Sequence, residues 1–264
     1  MRTIYTKTLY DRRSFIIGWT LGLMVLAVLM TSFYPAMHQE SVLDQLVKQM
    51  PPAMQGLVGN LANLSHFDTY LAAQLFDIRL PLIAGIMSII LALGLSTREE
   101  EDGELRTILA LPISRSRLLF EKWLALCTIM LLTALGLLAG IYVTMPFLDN
   151  VSIELAPLGR LMLMTLLIMV SYGTVTFAAG MASGRRAIAS FVGVLVIIGS
   201  FIISTFGQSV DWLKDYEKFS LLHYFPAVDI LKNGIVAKDV IVLGGVTVIA
   251  LIIAWLIFRR RDIA

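Results

Sequence analysis

Charged residues are spaced along this chain so as to leave six long runs without a single Asp, Glu, Lys or Arg. The runs are Ser14 to Gln39, Leu80 to Thr97, Trp123 to Leu148, Leu161 to Gly184, Ala187 to Val210 and Val240 to Phe258. A helix needs about 20 apolar residues to cross about 30 Å of hydrocarbon, and the apolar core of each run is near that length. The pattern predicts an all-α integral membrane protein with six transmembrane helices, at about 14–34, 80–97, 123–146, 161–183, 187–207 and 240–258. A seventh uncharged run, Met50 to Phe67, carries Pro51, Pro52, Gly56, Gly59, Asn60 and Asn63. Backbone breakers and amides of that kind are costly in lipid, so it is not a span. The first run exceeds the apolar stretch of a signal peptide and is read as a retained span.

Composition agrees. Of 264 residues, 58% are hydrophobic and 15% charged, and the mean hydropathy is +0.81. A water-soluble globule of this length could not bury so much apolar surface. The chain reads as a single transmembrane domain, 1–264. The one cysteine, Cys127, lies inside an apolar run and reads as a small buried hydrophobe.

Orientation follows from the basic residues. Six spans place both chain ends on one side. That side holds Arg2, Lys7, Arg12 and Arg13, then Arg98, Arg106, Arg115, Arg117 and Lys122, then Arg185 and Arg186, and finally Arg259, Arg260 and Arg261. These are fourteen of the 21 Lys and Arg residues, which predicts that both termini are cytoplasmic. Outside, the loops at 35–79 and 208–239 are long. The first contains a helical apolar spacing over Ser41 to Met50. The second carries Trp212, Tyr216, Phe219, Tyr224 and Phe225, which suit the membrane–water interface. Residues before the first span alternate Tyr5, Leu9 and Tyr10 with Lys7, Arg12 and Arg13, predicting a short N-terminal interfacial helix.

The inner loop REEEDGELRTILALPISRSR, Arg98 to Arg117, is the richest stretch. After the acids and Gly103, Leu105, Ile108, Leu109 and Leu111 recur at helical spacing until Pro112. Acids ahead of a short helix favour its positive dipole end. An apolar stripe on such a helix must be buried, either against the protein's own span ends or in the groove of a soluble partner.

This loop resembles the signature of ABC-2 type permeases, the membrane subunits of one class of ATP-binding-cassette exporters. Glu99, Glu101, Gly103, Leu105, Leu109, Pro112, Ile113, Ser114 and Arg115 match that pattern in order, and Lys122 follows at the start of the next span. Where the family usually has Thr after the glycine, this chain has Glu104, which adds charge to the predicted contact. The tail Phe258-Arg259-Arg260-Arg261-Asp262-Ile263 and Tyr224-Phe225-Pro226 are similar to segments of the same family, as is the six-span layout.

The resemblance implies a coupling helix between spans two and three that docks on an ABC ATPase subunit. Glu99, Glu101, Gly103, Leu105, Arg106, Leu109, Pro112 and Arg115 would serve this coupling. It further implies two ATPase copies, a second permease copy, ATP and Mg bound by the ATPase, no cofactor in this chain, and a multi-pass location in a prokaryotic cell membrane. The lipid bilayer is the other partner, and no nucleic acid is expected.

Omissions fit a transport subunit, not an enzyme. There is no GxxxxGK[ST] phosphate loop, no HExxH and no CxxC in the sequence. Neither catalytic nor metal-binding residues are expected. Ionisable residues are absent from the centres of the runs, which disfavours a proton- or sodium-driven carrier. Ser171, Tyr172, Thr174 and Thr176 cluster in the fourth span. They either line a substrate path or satisfy helix hydrogen bonds. Gly18–Gly22, Gly136–Gly140 and Gly180–Gly184 are GxxxG pairs, which either mark close helix approaches or arise by chance in glycine-rich helices. The alternative to a permease is a membrane anchor or sensor whose outer loops bind a ligand without transport.

Overall fold

The computed structural model describes residues 3–35, 67–77, 79–110, 113–148, 153–207 and 210–261. The expected helix over Ser41–Met50 lies outside the described residues, as do Pro112 and the side chains of Arg106 and Leu109. The described chain opens with α1 (Ile4–Asp11), in which Thr3 Oγ1 accepts from the Thr6 amide at 3.2 Å as an N-cap. Arg12 then breaks the helix, and α2 (Arg13–Ser32) follows. A short helix α3 (Phe67–Leu71) runs into one π-helical turn, Ala72–Phe76, and then into α4 (Arg79–Ser96).

Beyond α4 come two short helices between the second and third spans, α5 (Arg98–Glu101) and α6 (Glu104–Leu109). The long helices α7 (Arg115–Thr144), α8 (Leu155–Ser183) and α9 (Arg186–Phe206) complete the middle of the chain. After short turns, α10 (Ala227–Asn233) leads into α11 (Ala237–Arg260). All regular elements among the described residues are helical. Among the described residues, six helices are long and apolar enough to cross a membrane. This is the all-α, six-span architecture that the charge-free runs predict.

Helix α8 is the most buried of the six and packs against α4, α7, α9 and α11, whereas α2, α9 and α11 are the least buried. The outer faces of those three carry stripes such as Ile17, Leu21, Val25 and Leu29 on α2, each about half exposed. At i, i+4 spacing these are the surfaces that lipid covers. Helix α7 begins well before its charge-free run. Ser114 Oγ caps it by accepting from the Arg117 amide at 3.2 Å, and the fully buried Leu118 and Leu119 carry it into the core.

The GxxxG pairs divide. On α7, a Cβ at Gly136 would collide with Thr20, and one at Gly140 with Met24 and Ala27, so both glycines let α2 approach at backbone distance. On α8, Gly180 makes room for Ser96 and Thr97. On α2, Gly18 and Gly22 have nothing within 4 Å. They face away from α7, because α2 turns Leu23 and Ala27 inward instead.

The segments at the other end of the bundle, expected as outer loops, are more embedded than their sequence implies. Tyr224 and Phe225 are buried, while Trp212, Tyr216 and Phe219 are exposed. The cause is Ser220, whose Oγ donates to the Ser200 carbonyl at 2.9 Å while the Leu221 amide donates to Ser200 Oγ at 3.1 Å. These bonds fold the segment back onto α9. Phe67, Tyr70 and Phe76 are likewise buried, and the Tyr70 hydroxyl donates to the Met30 carbonyl at 3.0 Å.

The acidic loop and its three helical anchors

The loop between the second and third spans is built from two very short helices joined at Gly103, whose φ of 74° lies in the left-handed region that glycine enters without steric cost. Helices of four and six residues cannot hold themselves in water, so other parts of the chain must fix them. Three consecutive glutamates do this.

Glu99 Oε2 accepts from Lys122 Nζ of α7 at 2.6 Å, and the same ammonium donates to the Leu95 carbonyl at 2.9 Å. Glu100 Oε2 pairs with Arg261 Nη2, just after α11. Glu101 lies 3.7 Å from Arg186 Nη1, at the start of α9. A helix of about 3.6 residues per turn sends successive side chains roughly 100° apart, which is how neighbouring acids reach three different helices. Asp102 pairs only locally, with Arg98 at 3.4 Å.

Of the eight residues expected to serve coupling, four bind back to this chain. Glu99 and Glu101 make the pairs just described, Glu101 while remaining exposed. Leu105 is 4% exposed and belongs to the apolar core, so its part of the stripe packs against the protein's own body. Ile108, half-buried, packs against the same core. Arg115 Nη1 donates to the Arg261 carbonyl at 2.5 Å and the Phe258 carbonyl at 3.3 Å. The face left to solvent is Glu101, Asp102, Gly103, Glu104, Thr107 and Ala110.

Helix α1 closes one side of the same end of the bundle. The Tyr5 amide donates to Glu121 Oε2 at 2.9 Å, and Arg117 Nε donates to the other oxygen of that carboxylate at 2.7 Å. Arg12 Nη2 donates to the Gly94 carbonyl. Burial lowers the Arg12 pKa from its ordinary value, and Arg98 lowers it further. A cleft of about 430 Å³ opens between α1 and the loop, lined by Lys7, Arg12, Arg98, Glu99, Asp102 and Lys122 among others. Five cations and four acids line it, so it carries little net charge.

The cluster on α8 is packed. Ser171, Thr174 and Thr176 are fully buried and Tyr172 is 2% exposed. Ser171 Oγ donates to the Leu167 carbonyl at 2.8 Å and lies 3.0 Å from Thr247 Oγ1 of α11. Thr174 Oγ1 accepts from Trp123 Nε1 at 2.9 Å, and Thr176 Oγ1 donates to the Tyr172 carbonyl at 3.0 Å. These hydroxyls occupy different helix seams: Ser171 faces α11, Thr174 faces α7 and Thr176 lies against Gly193 of α9. Among the described residues, no group of three or more His, Cys, Asp and Glu could hold a metal ion.

Both regions, the anchored loop and the packed bundle, lie within one continuous family match: the family described as ABC-2 family transporter protein covers residues 2–263. The chain belongs to the ABC-2 transporter family. A search of curated proteins found no match. As an ABC-2 protein the chain is a multi-pass membrane permease component of an ABC transporter, a family that generally works with an ATP-binding subunit.

Spacing alone did not single out Glu100 in this ABC-2 loop, nor Arg186 and Arg261, which lie outside it. The available signal was charge complementarity: a run of three glutamates in one loop, and adjacent arginines in two other segments on the same side of the spans. Sequence distances of 85 and 161 residues hide such pairs from any local pattern.

Proposed function

We propose that this permease is the exporting subunit of an ABC transporter and that α5–α6 is the element through which a separate ATPase subunit drives it. The carrying observation is the threefold anchoring of that segment. Glu99, Glu100 and Glu101 tie it to the bases of α7, α11 and α9, so a push on the loop reaches three spans together. The exposed face at Gly103, Glu104, Thr107 and Ala110 is the surface offered to the ATPase. Leu109 and Arg106 belong to the same short helix, and Pro112 follows it. Glu99, Glu101, Leu105 and Arg115 then act in coupling by holding the segment, not by touching the partner.

In this reading ATP and Mg are bound by the ATPase, two copies of which work with two permease copies, and the positive-inside bias puts the loop and both termini in the cytoplasm of a prokaryotic cell. The uncharged interiors of the spans favour a hydrophobic or amphipathic substrate. On this reading Ser171, Tyr172, Thr174 and Thr176 of α8, all buried at rest, reach the substrate as α8 parts from its neighbouring helices.

The deciding experiment is co-expression with the flanking genes, mild detergent extraction and purification through a tag on this chain. Recovery of a nucleotide-binding subunit whose ATP turnover falls with Glu101→Lys or Glu104→Arg supports the proposal. Purification that yields the permease alone, with and without chemical cross-linking, overturns it.

A further inference from the structure

Arg261 follows the last helix and enters a socket made by three other parts of the chain. Its Nη2 pairs with Glu100 Oε2, and its Nη1 donates to the Met181 carbonyl near the end of α8 at 3.2 Å. The side chains of Arg261 and Glu100 are 15% and 21% exposed. The backbone is held as well, because Arg115 at the start of α7 donates to the Arg261 carbonyl at 2.5 Å. The fourth wall is an absence: Gly184 ends α8 at φ 65°, and a Cβ there would lie 2.5 Å from both Arg261 Nη1 and Glu100 Oε1.

The two neighbouring arginines behave differently. Arg259 stacks over Trp255 at 4.9 Å, and Arg260 is exposed. A requirement for positive charge alone would not distinguish the three. A guanidinium serves the carboxylate and the carbonyl from two separate nitrogens of one rigid plane, so it fixes orientation more tightly than the single point-charge ammonium of a lysine.

We propose that Arg261 is a positioning residue that fastens the α5–α6 segment to the end of the sixth span and to the α8–α9 turn, and so sets where that segment stands for its partner. The partner clause rests on the reading of α5–α6 as the ATPase contact; the fastening does not. The exposed Glu101–Arg186 contact, at 3.7 Å, is a weak tie. Glu99–Lys122 reaches only α7. Glu100–Arg261 is therefore the link on which the segment's attachment to α11 depends.

Amide hydrogen exchange on the full chain in lipid nanodiscs tests this. Arg261→Ala is expected to raise exchange over residues 99–108 by about tenfold while α4 and α8 keep wild-type protection, and Arg260→Ala is expected to change nothing. Gly184→Ala, which crowds the pair while keeping both charges, is expected to give the same local pattern and serves if Arg261→Ala does not fold. Arg261→Lys should recover only part of the protection.

Wild-type exchange over residues 99–108 in both variants would overturn the proposal, as would a uniform rise across all spans. A second measurement separates the two readings. If the wild-type chain binds no ATPase subunit, the coupling function fails while the exchange data still decide the role of Arg261. If it binds one, Arg261→Ala is expected to weaken that binding about tenfold.

Discussion

Lys122 Nζ lies 2.6 Å from Glu99 Oε2 with only 3% of its side chain exposed, which makes this pair the buried ionic joint between the second and third spans. Removing one partner strands the other charge, a loss of about 3–5 kcal/mol for buried pairs. Glu99→Ala should therefore lower the thermal midpoint of the purified protein sharply. The double variant Glu99→Leu/Lys122→Met should recover most of that loss, because two apolar groups leave no orphaned charge. A double variant less stable than either single one would refute this account.

Leu105 and Glu104 are neighbours with opposite duties. Leu105→Ala empties a core position and should cost about 2–5 kcal/mol in thermal unfolding. Glu104→Arg changes an exposed residue and should stay within about 0.5 kcal/mol of wild type. It should nevertheless reduce recovery of the ATPase subunit in pull-downs. The reverse pattern would place the partner contact on the inward stripe.

Gly136 and Gly140 should resist enlargement. Gly140→Val forces α2 away from α7 and should destabilise by about 1–3 kcal/mol. The same change at Gly22, with nothing within 4 Å, should be nearly neutral in the monomer. Thermal unfolding in detergent compares the two directly.

The side on which the loop lies is measurable. In a Cys127→Ala background, Glu104→Cys should react with an impermeant thiol reagent only after the cells are opened. Labelling of intact cells would invert the topology and remove the loop from any cytoplasmic ATPase.

How much of this was legible beforehand differs residue by residue. The spans could be read because lipid tolerates no charge over about 20 residues, a local requirement that each run meets alone. Gly103 was marked by its place between an acidic cluster and a helical stripe. Glu99 and Glu101 were marked too, but their destinations were not, since nothing local says whether a carboxylate faces a partner protein or a lysine of the same chain. Tyr224 and Phe225 looked like interfacial aromatics, yet hydrogen bonds from Ser220 and Leu221 to Ser200 draw them into the core.

By itself the sequence determined that this chain inserts six helices in a lipid bilayer, that the loops on one side of those helices gather most of its basic residues, and that one of those loops carries an ABC-2 pattern. Solvation energies set these features segment by segment, so composition and period suffice. Only the tertiary structure decided that Glu99, Glu100 and Glu101 fan out to Lys122, Arg261 and Arg186, and that Leu105 faces inward. Those outcomes depend on how three distant helices converge at one end of the bundle. Directional ion pairs and close packing exist only once that convergence has occurred.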